Sequence, residues 1–196
     1  MTASTLFILS LIVAVILAVL IILLMVKTYE MLSTQQSNYK NSFVPLSVQL
    51  AKRRQVIELL IEEFRSDSIA NDKQVLVEQL QRACSVAASA ESRAKESNSK
   101  SHVTRRLARV EDAMIYSFCR LIESLQGMDD PKAREWVGRM QQSLVDSVER
   151  LEASLEEFNR ALDDFNKTRS VFPFVFVAGI LGFQRMDPMA LKKVCR

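Results

Sequence analysis

The sequence predicts an all-α protein: an N-terminal transmembrane helix followed by an antiparallel four-helix bundle. Three observations lead there. Residues 6–26 are 21 consecutive positions without a charge, almost all Leu, Ile, Val, Phe, Ala or Met. At 1.5 Å per residue they make about 30 Å of helix, the thickness of a bilayer's hydrocarbon core. Glycine and proline number only four each, and between Lys27 and Gln126 there is one proline, Pro45, and no glycine, so helix is the default. Beyond the apolar run, hydrophobic residues recur in steps of three and four through four successive segments.

The run at 6–26 is too long for the apolar region of a signal peptide, and Met1 to Thr5 carries no charged side chain. After it come Lys27, Lys40, Lys52, Arg53 and Arg54 against a single acid, Glu30. By the positive-inside rule residues 1–5 lie outside and residues 27–170, the bundle, lie in the cytoplasm. Residues 171–196 form an apolar segment with a basic tail. The net charge of +3 is too small to suggest nucleic acid.

The first segment after the span, from about Tyr29 to Arg65, carries Leu32, Tyr39, Phe43, Leu46, Leu50, Ile57, Leu60 and Phe64. The span continues straight into it, is kinked at Pro45, or gives way there to a new helix. Ser66 to Ser68 supply a turn. The second, from about Asn71 to Lys95, has a stripe that shrinks from Leu76 and Leu80 to Ala83, Ala87, Ala90 and Ala94. A polar loop around His102 leads to the third, Val103 to Leu125, with Leu107, Val110, Met114, Phe118 and Leu121 on one face.

Gly127, the acids at 129 and 130 and Pro131 combine stop and start signals. The last segment, Pro131 to about Thr168, sustains a seam of Val137, Met140, Leu144, Val148, Leu151, Leu155, Phe158, Leu162 and Phe165 over four heptads. Helices of this kind joined by short polar links form an antiparallel bundle, with a long intermolecular coiled coil as the alternative. Asp129 to Asp164 holds ten acids against five bases, a solvated face or a docking stripe.

Catalytic chemistry is sparse. His102 is the single histidine, no Glu-x-x-His pair offers a di-iron site, and neither a Walker loop nor a dinucleotide fingerprint occurs. No catalytic residue, metal, cofactor or small-molecule substrate is therefore expected. Cys84, Cys119 and Cys195 match no metal spacing and read as two buried small hydrophobes and a tail thiol. Arg53 and Arg54 interrupt the seam; their stems pack on the bundle and their heads pair with acids such as Glu149 or Glu152, or they form a ligand or partner site. Asn159 and Asn166, seven apart, read as buried hydrogen-bonding residues that fix register. Trp136 is core or a contact point.

Two stretches resemble the LemA family of membrane-anchored helical proteins. F-N-R-A-L-D-D-F-N-K-T-R-S-V-F-P (158–173) with A-G-I-L-G-F (178–183) is similar to its paired aromatic-Asn motif, Phe-Pro and Gly-Phe; V-Q-L-A-K-R-R (48–54) is similar to its Val-Gln-Leu and basic pair. Tyr29 and Leu32 fall where a Tyr-Asn-x-Leu element sits. The chain departs from the pattern at Glu30, at Phe43, where tryptophan is usual, and at Gln55 and Glu58 in place of Asp and Pro. The resemblance implies a four-helix bundle behind an N-terminal span, no established enzymatic activity, and a place in the bacterial inner membrane or a derived internal membrane.

An even number of antiparallel helices brings residues 171–183 back to the bilayer. Thirteen apolar residues interrupted by Pro173, Gly179 and Gly182 are too few to span it. Phe172, Phe174, Phe176, Ile180, Leu181 and Phe183 either seal the bundle's end or enter the headgroup layer or a partner's groove. Arg185, Lys192, Lys193 and Arg196 would then meet an anionic leaflet. The functional expectation is a non-enzymatic scaffold presenting helices to integral membrane proteins or to further copies of itself; the alternative is an oligomer that shapes or senses the bilayer through 171–183.

Overall fold

The computed structural model describes residues 3–66, 69–97 and 101–192, and those residues are all-helical apart from links and a C-terminal tail. The elements in order are α1 (Ala3–Arg65), α2 (Ile69–Asp72), α3 (Gln74–Ser97), α4 (Ser101–Gln126), α5 (Pro131–Ser170) and α6 (Phe174–Leu181).

α1 is one continuous helix of 63 residues that carries the apolar run and the first amphipathic segment without a break, Pro45 included. Pro45 lies on the exposed face between the buried Phe43 and Leu46, so its ring meets no neighbouring helix, although it removes one backbone donor. Phe7–Arg65 is the one helix among the described residues long and apolar enough to cross a membrane; its most apolar window has a mean hydropathy of 3.5 and no buried residue. The apolar side chains from Phe7 to Leu24 are therefore exposed, whereas from Met25 onward α1 packs against other elements.

Ring pairs fix how α1 lies on α5. Tyr39 meets Phe165, Phe43 meets Phe158 and Phe64 meets Trp136, at centroid separations of 5.2, 5.6 and 5.3 Å. Partner numbers fall on α5 as they rise on α1. α3 packs mainly on α4, and α1 and α5 each touch that pair.

The stripes read from the sequence supply the core. All eight seam residues named on α1 are buried, as are Leu80, Ala87, Ala90 and Ala94 on α3, and Leu107, Met114, Phe118, Leu121 and Leu125 on α4. The small α3 side chains allow close approach to α4. Between α4 and α5, Gly127 donates its N–H to the Glu123 carbonyl, and the Asp130 carboxylate accepts from the Lys132 N–H at 2.8 Å with Pro131 in the first turn.

Two sequence expectations need amendment, and one segment left without a secondary structure gains one. His102 sits in the first turn of α4, exposed, and not in a loop. Of the cysteines, Cys84 is a buried free thiol, whereas Cys119 is only half-buried against the same cluster and is disulfide-bonded; Cys195 lies outside the described residues. The apolar stretch after α5 winds into a helix of its own, α6, closed by Gly182 in the left-handed conformation (φ 73°) that favours glycine.

Candidate functional site

The buried residues fall into two hydrophobic clusters separated by a charged layer. One cluster gathers Ile57 to Phe64, Val77 to Ala87, Met114 to Leu125 and Ala133 to Leu144. The other gathers Leu32 to Leu50, Ala90, Ala94, Leu107, Leu151 to Phe165 and parts of the C-terminal segment. Between them lie Arg53 and Arg54 of α1, Glu91 of α3 and Glu111 of α4. Arg53 is 1% and Glu111 0% exposed.

Arg53 Nη2 donates to Glu111 Oε2 at 2.5 Å, and Arg54 Nη2 donates to Glu91 Oε2 at 2.5 Å. Lys95 Nζ adds a second contact to Glu91 at 2.7 Å. Arg54 Nη1 and Glu111 Oε1 stand 3.8 Å apart, and both, like Arg53 Nε, lack a hydrogen-bond partner. Burial raises the Glu111 carboxyl above its ordinary value near 4.5, more than the Arg53 and Arg54 charges lower it. The sequence pointed to Glu149 and Glu152 on α5 as partners for the arginines. It missed Glu91 and Glu111, although both fall in the apolar stripes, in the steps Ala87–Glu91–Ala94 and Leu107–Glu111–Met114.

After Gly182 the chain runs without regular structure as a strap, residues 183–192, across α4 and α5. Asn166 donates from Nδ2 to the Met186 carbonyl (2.7 Å) and accepts the Met186 N–H (3.1 Å). Asn159 repeats this with Met189, at 2.7 and 2.8 Å. One helical face thus reads the backbone of an extended segment at two points. The asparagines align the tail on α5, not one long helix on another. Met186 and Met189 are buried in the second cluster. On the other side, Ser101 Oγ donates to Asp187 at 2.6 Å, Arg105 pairs with Asp187 at 3.2 Å, and Asp112 accepts the Lys192 N–H at 2.7 Å.

α6 turns Val177 and Ala178 inward and leaves Phe172, Phe176 and Ile180 at 75%, 65% and 71% exposure. Phe176 and Ile180 lie one turn apart on α6, and the ring of Phe172, just before the helix, stands 6.0 Å from that of Phe176, so the three form one row. Leu181 is also exposed, while Phe174 and Phe183 pack partly against the second cluster. Phe183 lies against Tyr29 and Phe165, and Arg169 Nε donates to its carbonyl at 2.6 Å. Of the basic tail, the Lys192 side chain is exposed and Lys193 lies outside the described residues. Of the residues singled out from the sequence, then, Arg53 and Arg54 meet in the charged layer, the asparagines and Lys192 meet along the strap, and the apolar residues gather on and around α6.

No curated protein and no solved structure matches the chain. The profile of the LemA family matches residues 42–194, a stretch that takes in the charged layer, the strap's two asparagines and α6, and the chain belongs to the LemA family.

Proposed function

We propose that this protein is a non-enzymatic, membrane-anchored scaffold of the bacterial cell envelope or an internal membrane. In this reading α1, α3, α4 and α5 form an antiparallel four-helix bundle behind a span at residues 6–26, and the bundle serves integral membrane partners or further copies of the chain. The observation that carries it is the exposed row Phe172, Phe176 and Ile180 beside the part of α1 where the uncovered apolar run ends. An apolar row in that position suits a surface that is itself apolar.

The same row favours a second reading, in which it enters the headgroup layer and repeated copies shape or sense the bilayer. One experiment separates the two: a photoreactive amino acid in place of Phe176 of the full-length chain, irradiated in native membranes. Adducts to another protein or to a second copy are expected for a scaffold. Adducts to lipid alone sink the scaffold and favour the second reading. Adducts to neither, with the chain intact in the membrane, dismiss both.

Two signals bear on the domain's side of the membrane, and they point in opposite directions. Lys27, Lys40 and Lys52 favour the cytoplasm, the proposed location. The disulfide at Cys119 favours an oxidising compartment. Labelling of His102→Cys by an impermeant maleimide in intact cells decides: no labelling until the membrane is opened is expected, and labelling of intact cells reverses the orientation.

A further inference from the structure

The α3–α4 pair and the α1–α5 pair carry opposite charge on their free sides. Each pair packs mainly on itself and buries its inner side in the two clusters, so the free sides face away from each other. Along α3 and α4 a groove of about 200 Å³ is lined by Ser85, Val86, Ser89, Ala90, Arg93 and Arg106, two arginines and no acid. The free side of α5 is a ridge whose exposed residues include Val145, Glu149 and Glu157. Steps of four and eight keep these three on one side of the helix. Among the described residues, none of Arg93, Arg106, Glu149 and Glu157 has an ion-pair partner. Val86 and Val145 are 50% and 61% exposed.

The charged layer sets a common height for groove and ridge. Glu111 meets Arg53 and Glu91 meets Arg54, and on the span side of both lie Leu107 and Ala94 in the second cluster. At 1.5 Å per residue, Arg93 stands about 3 Å and Arg106 about 7.5 Å nearer the span than these acids, and Val86 about 7.5 Å farther away. On α5, Val148 and Leu151 share a groove with Arg53. Glu149 therefore stands at the height of the layer, Glu157 about 12 Å nearer the span and Val145 about 6 Å farther away. Groove and ridge thus repeat one order, a valine, a charge at the layer and a charge nearer the span, with acids opposite bases. Copies held by the same span stand parallel and at equal height, which is the condition for these two surfaces to meet.

We propose that the α5 ridge of one copy seats in the α3–α4 groove of a second copy, with Val145 toward Val86 and with Glu149 and Glu157 toward Arg93 and Arg106. Because the two surfaces lie on opposite sides of the chain, the contact is head-to-tail and extends into open rows. Each exposed pair contributes little alone, and confinement in the membrane raises the effective concentration at which several act together. This partner is one of the two kinds that the scaffold reading allows; it rests on the span at residues 6–26 and not on what α6 touches.

The test is energy transfer between full-length chains that carry donor or acceptor fluorescent proteins at the N-terminus, reconstituted together in liposomes. The parent is expected to exceed the random-proximity level and to lose at least about half of the excess between about 0.1 and 1 M salt, where the screening length falls from about 10 to 3 Å. Arg93→Glu with Arg106→Glu, and separately Glu149→Arg with Glu157→Arg, are expected to fall to the random level while circular dichroism stays unchanged. Mixing the two variants restores transfer, because each then offers the surface that the other's reversed one fits. A parent at the random level, no loss in either variant, or no recovery on mixing overturns the proposal. None of these results alters which molecules Phe176 reaches, so the row and the α6 surface fail separately.

Discussion

The ring of Tyr29 rests against that of Phe183, with centroids 6.1 Å apart and planes tilted by 55°. These residues stand at opposite ends of the folded part of the chain, and their contact, with Phe165 behind it, seats α6 against α1 and α5. Phe183→Ala is expected to cost about 2 kcal/mol. It also frees α6, which is visible as faster hydrogen exchange from 174 to 181. Unchanged exchange there would mean that α6 is seated by something other than this ring cluster.

The strap should detach in two steps. Asn159→Ala and Asn166→Ala each remove two hydrogen bonds to an otherwise ordered backbone and are expected to cost about 1–3 kcal/mol apiece. Proteolysis between 184 and 192 is the sensitive readout. The double variant should be cut there with the long helices intact, whereas the parent chain should resist.

In the charged layer, Glu111→Leu alone leaves Arg53 without its carboxylate and is expected to cost about 3–5 kcal/mol. Arg53→Met combined with Glu111→Leu is expected to recover most of that loss, because an apolar pair of similar volume needs no desolvated charges. Denaturant melts of the parent, Glu111→Leu, Arg53→Met and the double variant form the cycle; a double variant no better than Glu111→Leu would show that Arg54 and Glu91 depend on the removed pair.

The same layer makes stability depend on pH. Glu111 binds its proton more tightly in the folded chain than in the unfolded one, since burial outweighs the attraction of Arg53 and Arg54, and Glu91 adds repulsion. Its contribution to stability is therefore present at and below the ordinary carboxyl value near 4.5, and it falls as pH rises from there through the raised value. Glu111→Gln does not titrate, so the difference in melting temperature between parent and variant should shift in the variant's favour across that interval. A difference independent of pH would contradict the assignment.

Cys84 should be inert. Burial, aided by Glu58, pushes its thiol up to about 12, so almost no thiolate exists near neutrality. Alkylation by iodoacetamide at pH 8 is expected only after unfolding, and rapid modification of the native chain would show that the site opens.

The core was legible because it is periodic. Leu32, Phe43, Leu50, Phe64, Met140, Leu144, Phe158 and Phe165 announce their burial through three- and four-residue steps, and the cap at Asp130–Pro131 announces itself through residue type. Charge pairing across elements was not legible in the same way. Arg53 and Arg54 stood out as intruders on an apolar stripe, but choosing Glu91 and Glu111 over the many other acids requires knowing which helices are neighbours. Asn159 and Asn166 were recognisable as hydrogen-bonding residues on the packing side of α5, though they are half-buried, and the groups they serve are backbone atoms of Met186 and Met189, which carry no side-chain signature. The row was visible only as an apolar run until α6 put Phe176 and Ile180 on one side, with Phe172 against Phe176, and Val177 and Ala178 on the other.

With no interruption from Ala3 to Arg65, α1 is a shaft about 95 Å long. If its first third is held in lipid, the headgroup layer acts as a fulcrum. A tilt of about 10°, the kind of adjustment by which a span adapts to membrane thickness, swings the far tip near Phe64 and Trp136 sideways by about 10 Å. A vertical change in the bilayer is thereby converted into lateral travel of whatever the distal end holds.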